Sequence, residues 1–158
     1  MDAVVKSKDI ALEKLSETGL EISDPDFDIR GRKVIDRSGA EVGHVSSLFI
    51  DEDKRKVRML EIRAGGFLGI GERHVLLPVD AITSVSKHDV HVSETRERIV
   101  HSPVYDPTLI ETPTRDLWEP YYGYYGLSPY WGNGYMYPTF PMSPEETGLT
   151  HEHAPKND

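Results

Sequence analysis

The sequence predicts a mainly β fold: a small antiparallel barrel of about six strands, with a short helix after it and extended arms at both ends. Two observations carry this prediction. Between residues 32 and 92, short runs of alternating apolar and polar residues follow one another, separated by polar turns. A set of strands this small leaves bare edges unless it closes, and a barrel removes them.

Residues 1–28 read as an N-terminal arm. Within it, KDIALEKLSE fits a short amphipathic helix with Ile10, Ala11 and Leu15 on related faces. The DPDFD that follows is turn-like, because Pro25 disfavours helical geometry at Asp24. The barrel domain is assigned to residues 29–102. Its first strand is Lys33–Asp36, its first turn Arg37-Ser38-Gly39-Ala40, and its second strand runs from Val42 to Asp51. Strict alternation puts Val45, Ser47 and Phe49 on one face and Ser46, Leu48 and Ile50 on the other.

DEDKRK then forms a charged hairpin connection. In VRMLEIRA, Val57, Met59, Glu61 and Arg63 alternate with Arg58, Leu60, Ile62 and Ala64. After the glycine-rich GGFLGIG, ERHVLLPV reads as a strand that Pro78 ends or places at an edge. AITSVSK is a further short strand, and His88-Asp89 suits a tight turn into VHV. SETRERIVHSP fits a capped helical turn with Ser93 as N-cap and Pro103 beyond its end.

Residues 103–158 differ in kind. The stretch 118–140 holds ten of the fourteen aromatic residues, interleaved with Gly and Pro that argue against a regular helix. The last part, SPEETGLTHEHAPKND, has the polar character of a loose terminus.

The run DIRGRKVIDRSGAEVGHVSSLFIDEDKRKVRMLEIRAGGFLGIGERHVLLPVDAI resembles the PRC-barrel family. The likeness rests on Gly31, Val34, Asp36, Gly39, Val42 and Gly43, then on residues 65–71 and on Pro-Val-Asp-Ala-Ile at 78–82, and covers roughly residues 29–93. It implies a small, mostly antiparallel β-barrel. Members serve as the cytoplasmic domain of the photosynthetic reaction-centre H subunit and as a domain of a ribosome maturation factor. Others are free-standing bacterial proteins. The family has no shared catalytic residue set, so the resemblance assigns none here.

Composition excludes several kinds of chemistry. With no cysteine, there can be no disulfide, thiolate nucleophile or cysteine-ligated metal. No apolar run approaches the ~18–20 residues that span a bilayer, and the N-terminus lacks the apolar core of a signal peptide. The expectation is a cytoplasmic protein without membrane insertion. The net charge is −9: residues 1–28 carry −5, residues 29–102 carry +2 and residues 103–158 carry −6. That is not the dense basic field of a general nucleic-acid binder.

GGFLGIG has the wrong spacing for a phosphate loop, and a strand rather than a helix follows it. It reads as a connection with glycines at positive φ that projects Phe67, Leu68 and Ile70, which need cover. Seven histidines raise the question of metal, but His88 and His91 are three apart in a hairpin and point to opposite faces, and His151-Glu152-His153 lacks a scaffold. His44 and His74, on strands, read as surface or interface groups. Asp80 reads as a carboxylate bonding nearby backbone amides rather than a base. Arg55, Lys56 and Arg58, beside Asp51, Glu52 and Asp53, read as a solvated hairpin tip.

The aromatic tail has no lysine or arginine between Asp116 and Pro155, unlike the stacking platforms that bind single-stranded nucleic acid. It reads as an ordered strap across the barrel or a partner subunit. The sequence therefore predicts no catalytic, cofactor-binding or metal site. It predicts a self-associating scaffold whose contacts use Phe67, Leu68, Ile70, Trp118, Tyr121, Tyr122, Tyr124, Tyr125, Tyr130 and Trp131. The expected partners are further copies, in a dimer or larger homo-oligomer, or another protein, with no direct nucleic-acid contact. An accessory factor in RNA metabolism or ribosome assembly, acting through a protein partner, is the alternative. A small-molecule or metal-binding stress protein is the third reading.

Overall fold

The structure is a computed structural model, and it describes residues 12–20, 22, 28–51, 56–65, 71–103, 105 and 115–138. Seven strands form one curled sheet. They are β1 (Glu13–Lys14), β2 (Lys33–Ile35), β3 (Glu41–Asp51), β4 (Lys56–Ala64), β5 (Arg73–Pro78), β6 (Ile82–Val85) and β7 (Asp89–Val92). Two α-helices follow, α1 (Arg96–Val100) and α2 (Arg115–Tyr125). The hydrogen-bonded order is β5-β4-β3-β2-β7-β6, with β1 paired to β3 off this path.

The expected strands stand where alternation put them, but the pairing adds details that periodicity does not carry. The six-strand path is an open half-barrel, with β5 and β6 as its two ends rather than a closed cylinder. A 3-10 turn, Val79–Ala81, links them. Pro78, lacking an N–H donor, lies on the terminal strand β5, where an unpaired edge tolerates it. All pairings are antiparallel except β2 with β7, which run parallel and join the two halves of the curl.

Two irregularities in the β3–β4 ladder change which residues face the core. The register shifts between Val45 and Ser47 and again between Phe49 and Ile50. An extra residue reverses the alternation beyond it. Val45 therefore joins Leu48 and Ile50 in the main core instead of facing with Phe49, and Val57 joins Leu60 and Ile62 instead of Met59. Close approach of the two strands also explains Gly43: a Cβ there would lie 2.1 Å from the Arg63 carbonyl oxygen.

Three further expectations are corrected. The described part of KDIALEKLSE is not helical: Glu13–Lys14 pairs with Ile50 and Phe49, and Leu15–Glu17 forms a single 3-10 turn. Sheet pairing and burial of Leu12 and Leu15 outweigh the weak helical period. The N-cap of α1 is Thr95, whose hydroxyl accepts from the Arg98 N–H at 3.2 Å, while the Ser93 N–H is bonded to the Ala81 carbonyl. The tail, finally, contains a regular helix. α2 carries Pro120 and Gly123, yet Trp118, Tyr121, Tyr122 and Tyr125 sit at i, i+3, i+4 and i+7 and are all buried. Burial of that stripe overrides the propensity penalty.

The core has two parts, one on each face of the sheet. The concave side gathers Val34, Val42, Leu48, Ile50, Leu60, Ile62, Val75, Leu77 and Val90, closed by Ile99 and Val100 of α1. The convex side is covered by α2 and the chain after it. Among the described residues, no helix is long and apolar enough to cross a membrane.

Candidate functional site

The convex face of β3–β5 presents Phe49, Met59 and Leu76, one from each strand, together with Leu12. Helix α2 lays Trp118, Tyr121 and Tyr122 over them. The Trp118 ring lies 5.2 Å from that of Phe49, and Tyr105 meets Phe49 edge-on at 5.9 Å. Past the helix, Tyr130 and Trp131 continue the layer, packing on Tyr122 and on each other at 5.0–6.4 Å. Such tilted and edge-on pairs contribute about 0.5–1.5 kcal/mol each beyond area burial.

Arg58 is the polar centre of this layer. Because Phe49 opposes Met59 while Ile50 opposes Val57, Arg58 is the extra residue of a bulge. Its guanidinium turns under the tail, where it is only 5% exposed. It lies 3.5 Å from Asp51 and stacks on the Tyr130 ring at 4.3 Å, with Tyr137 and Tyr135 at 5.7 and 5.8 Å. The solvated-tip reading of Arg58 is therefore corrected. The bulge, invisible to a strict period of two, re-aims this side chain.

The three tyrosines are tied down by their hydroxyls or by burial. Tyr135 donates to Asp80 Oδ2 at 2.8 Å, and Tyr137 donates to the Val57 carbonyl at 3.0 Å. Burial raises the Asp80 carboxyl above the usual range, against the Tyr135 hydrogen bond and the Arg58 charge. Burial likewise raises the hydroxyls of Tyr122, Tyr130, Tyr135 and Tyr137, with Asp80 or Asp51 adding to the shift, and lifts Tyr121 to about 12. These phenols stay neutral: Tyr135 and Tyr137 serve as donors, while Tyr122 and Tyr130 contribute ring faces. Asp80 thus finds its partner in a tail hydroxyl as well as in its own backbone N–H.

A second clamp holds the helices together. Arg98 of α1 donates to the Tyr124 carbonyl at 2.6 Å, the Tyr124 hydroxyl donates to the Arg98 carbonyl at 2.7 Å, and the guanidinium lies 4.7 Å from the Tyr124 ring.

The structure brings most of the sequence-predicted contact residues together, but on their own barrel. Trp118, Tyr121, Tyr122, Tyr125 and Tyr130 are buried within the chain, while Tyr124 and Trp131 are half-buried. Phe67, Leu68 and Ile70 lie outside the described residues, and so does His151-Glu152-His153. Gly65, at φ 119°, begins the chain's departure toward them, and a Cβ on it would meet the Gly71 carbonyl oxygen at 2.4 Å. Among the described residues, no group of three or more His, Asp or Glu side chains is placed to hold a metal ion. Elsewhere on the convex face, buried Glu61 receives His74 Nδ1 at 2.5 Å and has Lys14 at 4.0 Å.

A curled, mostly antiparallel half-barrel closed by a short helix, with Arg58, Asp51 and Asp80 tied into its packing, defines a small β-barrel module. Residues 23–99 match the family model of the PRC-barrel domain, and this part of the chain is a PRC-barrel domain. No curated protein matches the chain.

Proposed function

We propose that the chain is a non-enzymatic protein–protein interaction module that self-associates, using the part of its aromatic tail that its own barrel leaves uncovered. One observation carries the reading: Met136 is 81% exposed on a strap that Arg58 and Asp80 fix in place, next in sequence to half-buried Tyr135. Large apolar and aromatic side chains held rigidly at a surface suit a contact, because little conformational entropy is lost on docking. The tail aromatics beneath serve as the platform, and Phe67, Leu68 and Ile70 complete the apolar supply in sequence.

Sedimentation velocity across a hundredfold dilution tests this. The unaltered chain is expected to sediment as a dimer or larger, and Met136→Asp, which alters an exposed side chain only, is expected to shift it toward monomer. A monomeric parent, or a mass that neither Met136→Asp nor Phe67→Ser/Leu68→Ser moves, sinks the proposal.

A further inference from the structure

The sheet registers place four basic side chains in one row on the convex face. Lys33 of β2 opposes His44 of β3, His44 opposes Arg63 of β4, and Arg63 opposes His74 of β5. Directly opposed residues of antiparallel strands share a face. That face is the convex one, because Ile62 and Ala64 on either side of Arg63 point into the concave core. Lys33, His44 and Arg63 are exposed and His74 is half-buried. With strands about 4.7–4.9 Å apart, the row spans about 14–15 Å. In a chain of net charge −9, a solvent-facing line of four basic groups in strict register is unusual.

Nothing in the core's packing needs these four residues. The aromatic layer lies further along the same strands, over Phe49, Met59 and Leu76. Only His74 is locked: buried Glu61 takes its Nδ1, which leaves Nε2 as the ring nitrogen available to a ligand. The acidic groups facing the row are few. Glu72 lies 3.9 Å from Arg63, a 63% and 44% exposed pair of the kind that is readily exchanged. Asp89 of β7 stands beside Lys33, and Lys14 lies against Glu61. Tyr105, whose N–H reaches the His74 carbonyl, flanks the far side.

We propose that the row Lys33–His44–Arg63–His74 is a docking strip for a carboxylate-rich segment of a partner protein. Charge complementarity names the occupant. Two permanent cations and two imidazoles suit side-chain carboxylates, which single cations at this spacing can pair one by one. A nucleic acid fits less well: the row has no exposed Phe, Tyr or Trp for a base to stack on, and its two permanent cations fall short of the dense basic field that a phosphate backbone needs. This strip is separate from the Met136 surface, and the proposal does not rest on self-association.

Fluorescence anisotropy of the full chain with a labelled ten-residue polyglutamate, and with a labelled ten-nucleotide oligouridylate, tests it at neutral pH and low salt. Each exposed ion pair that Lys33 or Arg63 makes with a carboxylate, worth a factor of roughly 1.5–5, sets the scale of the effect. The peptide is expected to bind, and Lys33→Glu/Arg63→Glu is expected to abolish binding. Lys87→Glu, an exposed cation outside the row, should leave it unchanged. Circular dichroism of the double variant checks the fold, and His44→Asn, a milder exposed change, should independently weaken binding. No binding by the peptide, binding indifferent to these row variants, or tighter binding of the oligonucleotide than of the peptide would overturn the proposal.

Discussion

Arg58 and Asp36 show what a single buried charge does in this molecule. The Arg58 guanidinium neutralises Asp51, faces Tyr130 and lowers the cost of burying Asp80, so its loss is felt by three neighbours at once. Arg58→Ala is expected to lower unfolding free energy by about 3–5 kcal/mol, the cost of breaking a buried pair from one side. Urea denaturation at pH 7 reads this, and a loss below about 1 kcal/mol would place the guanidinium in solvent. Asp36 ties the first turn to α1: its carboxylate accepts from the Ser38 N–H and hydroxyl, the Ala40 N–H and the Arg96 N–H, all at 2.7–2.8 Å. Burial alone would raise this carboxyl, but those hydrogen bonds hold it down to about 2, against 3.8 unperturbed. A depressed folded value means that the stabilisation is present above pH 3.8 and is lost as pH falls from there toward 2. Asp36→Asn is expected to cost about 1–3 kcal/mol at pH 7 and to flatten the stability profile between pH 4 and pH 2. Parallel acid-unfolding profiles of the two proteins would count against this role.

At the scale of the elements, the strands were legible because one face of each is buried and alternation records it, as in Lys33–Ile35 and Arg73–Pro78. What escaped was anything that depends on a partner strand. The bulges that move Val45, Val57 and Arg58 are properties of the β3–β4 register, not of either strand alone. The parallel β2–β7 pairing is likewise set by how the sheet curls. β1 is two residues long and exists only because β3 extends past β2 and leaves an edge to pair. α2 is a different case, since its signal was present in the sequence. Trp118, Tyr121, Tyr122 and Tyr125 keep helical spacing through Pro120 and Gly123, and the apolar stripe outweighed the two residues that argued against it. The polar centre was the least legible part: Asp80, Arg58 and the tail tyrosines lie far apart in sequence and meet only through the fold.

Across the whole molecule, the PRC-barrel match ends at residue 99, yet the structural unit does not. The described tail covers the convex face with buried Trp118, Tyr121, Tyr122 and Tyr130, and it also sends Tyr125 to the concave core. Each such aromatic buries about 150–250 Å², roughly 4–6 kcal/mol of gross transfer free energy at about 25 cal/mol per Å², so together they exceed the ~5–15 kcal/mol by which a small domain is stable. The tail is thus a layer of the fold, and the surface available to partners is its outer side and the uncovered end of the sheet. Deleting residues 115–158 should leave Phe49, Met59, Leu76 and Arg58 facing water. The truncated chain is expected to unfold at a midpoint at least ~10 °C lower, since each 1 kcal/mol corresponds to roughly 4–8 °C for a domain of this size. It should also bind a hydrophobic dye strongly, and Trp118→Ala should reproduce part of the loss, about 3–5 kcal/mol. A truncated barrel with an unshifted midpoint and no dye binding would show that the convex face needs no cover, and the tail would then be an arm held against the barrel without supporting it.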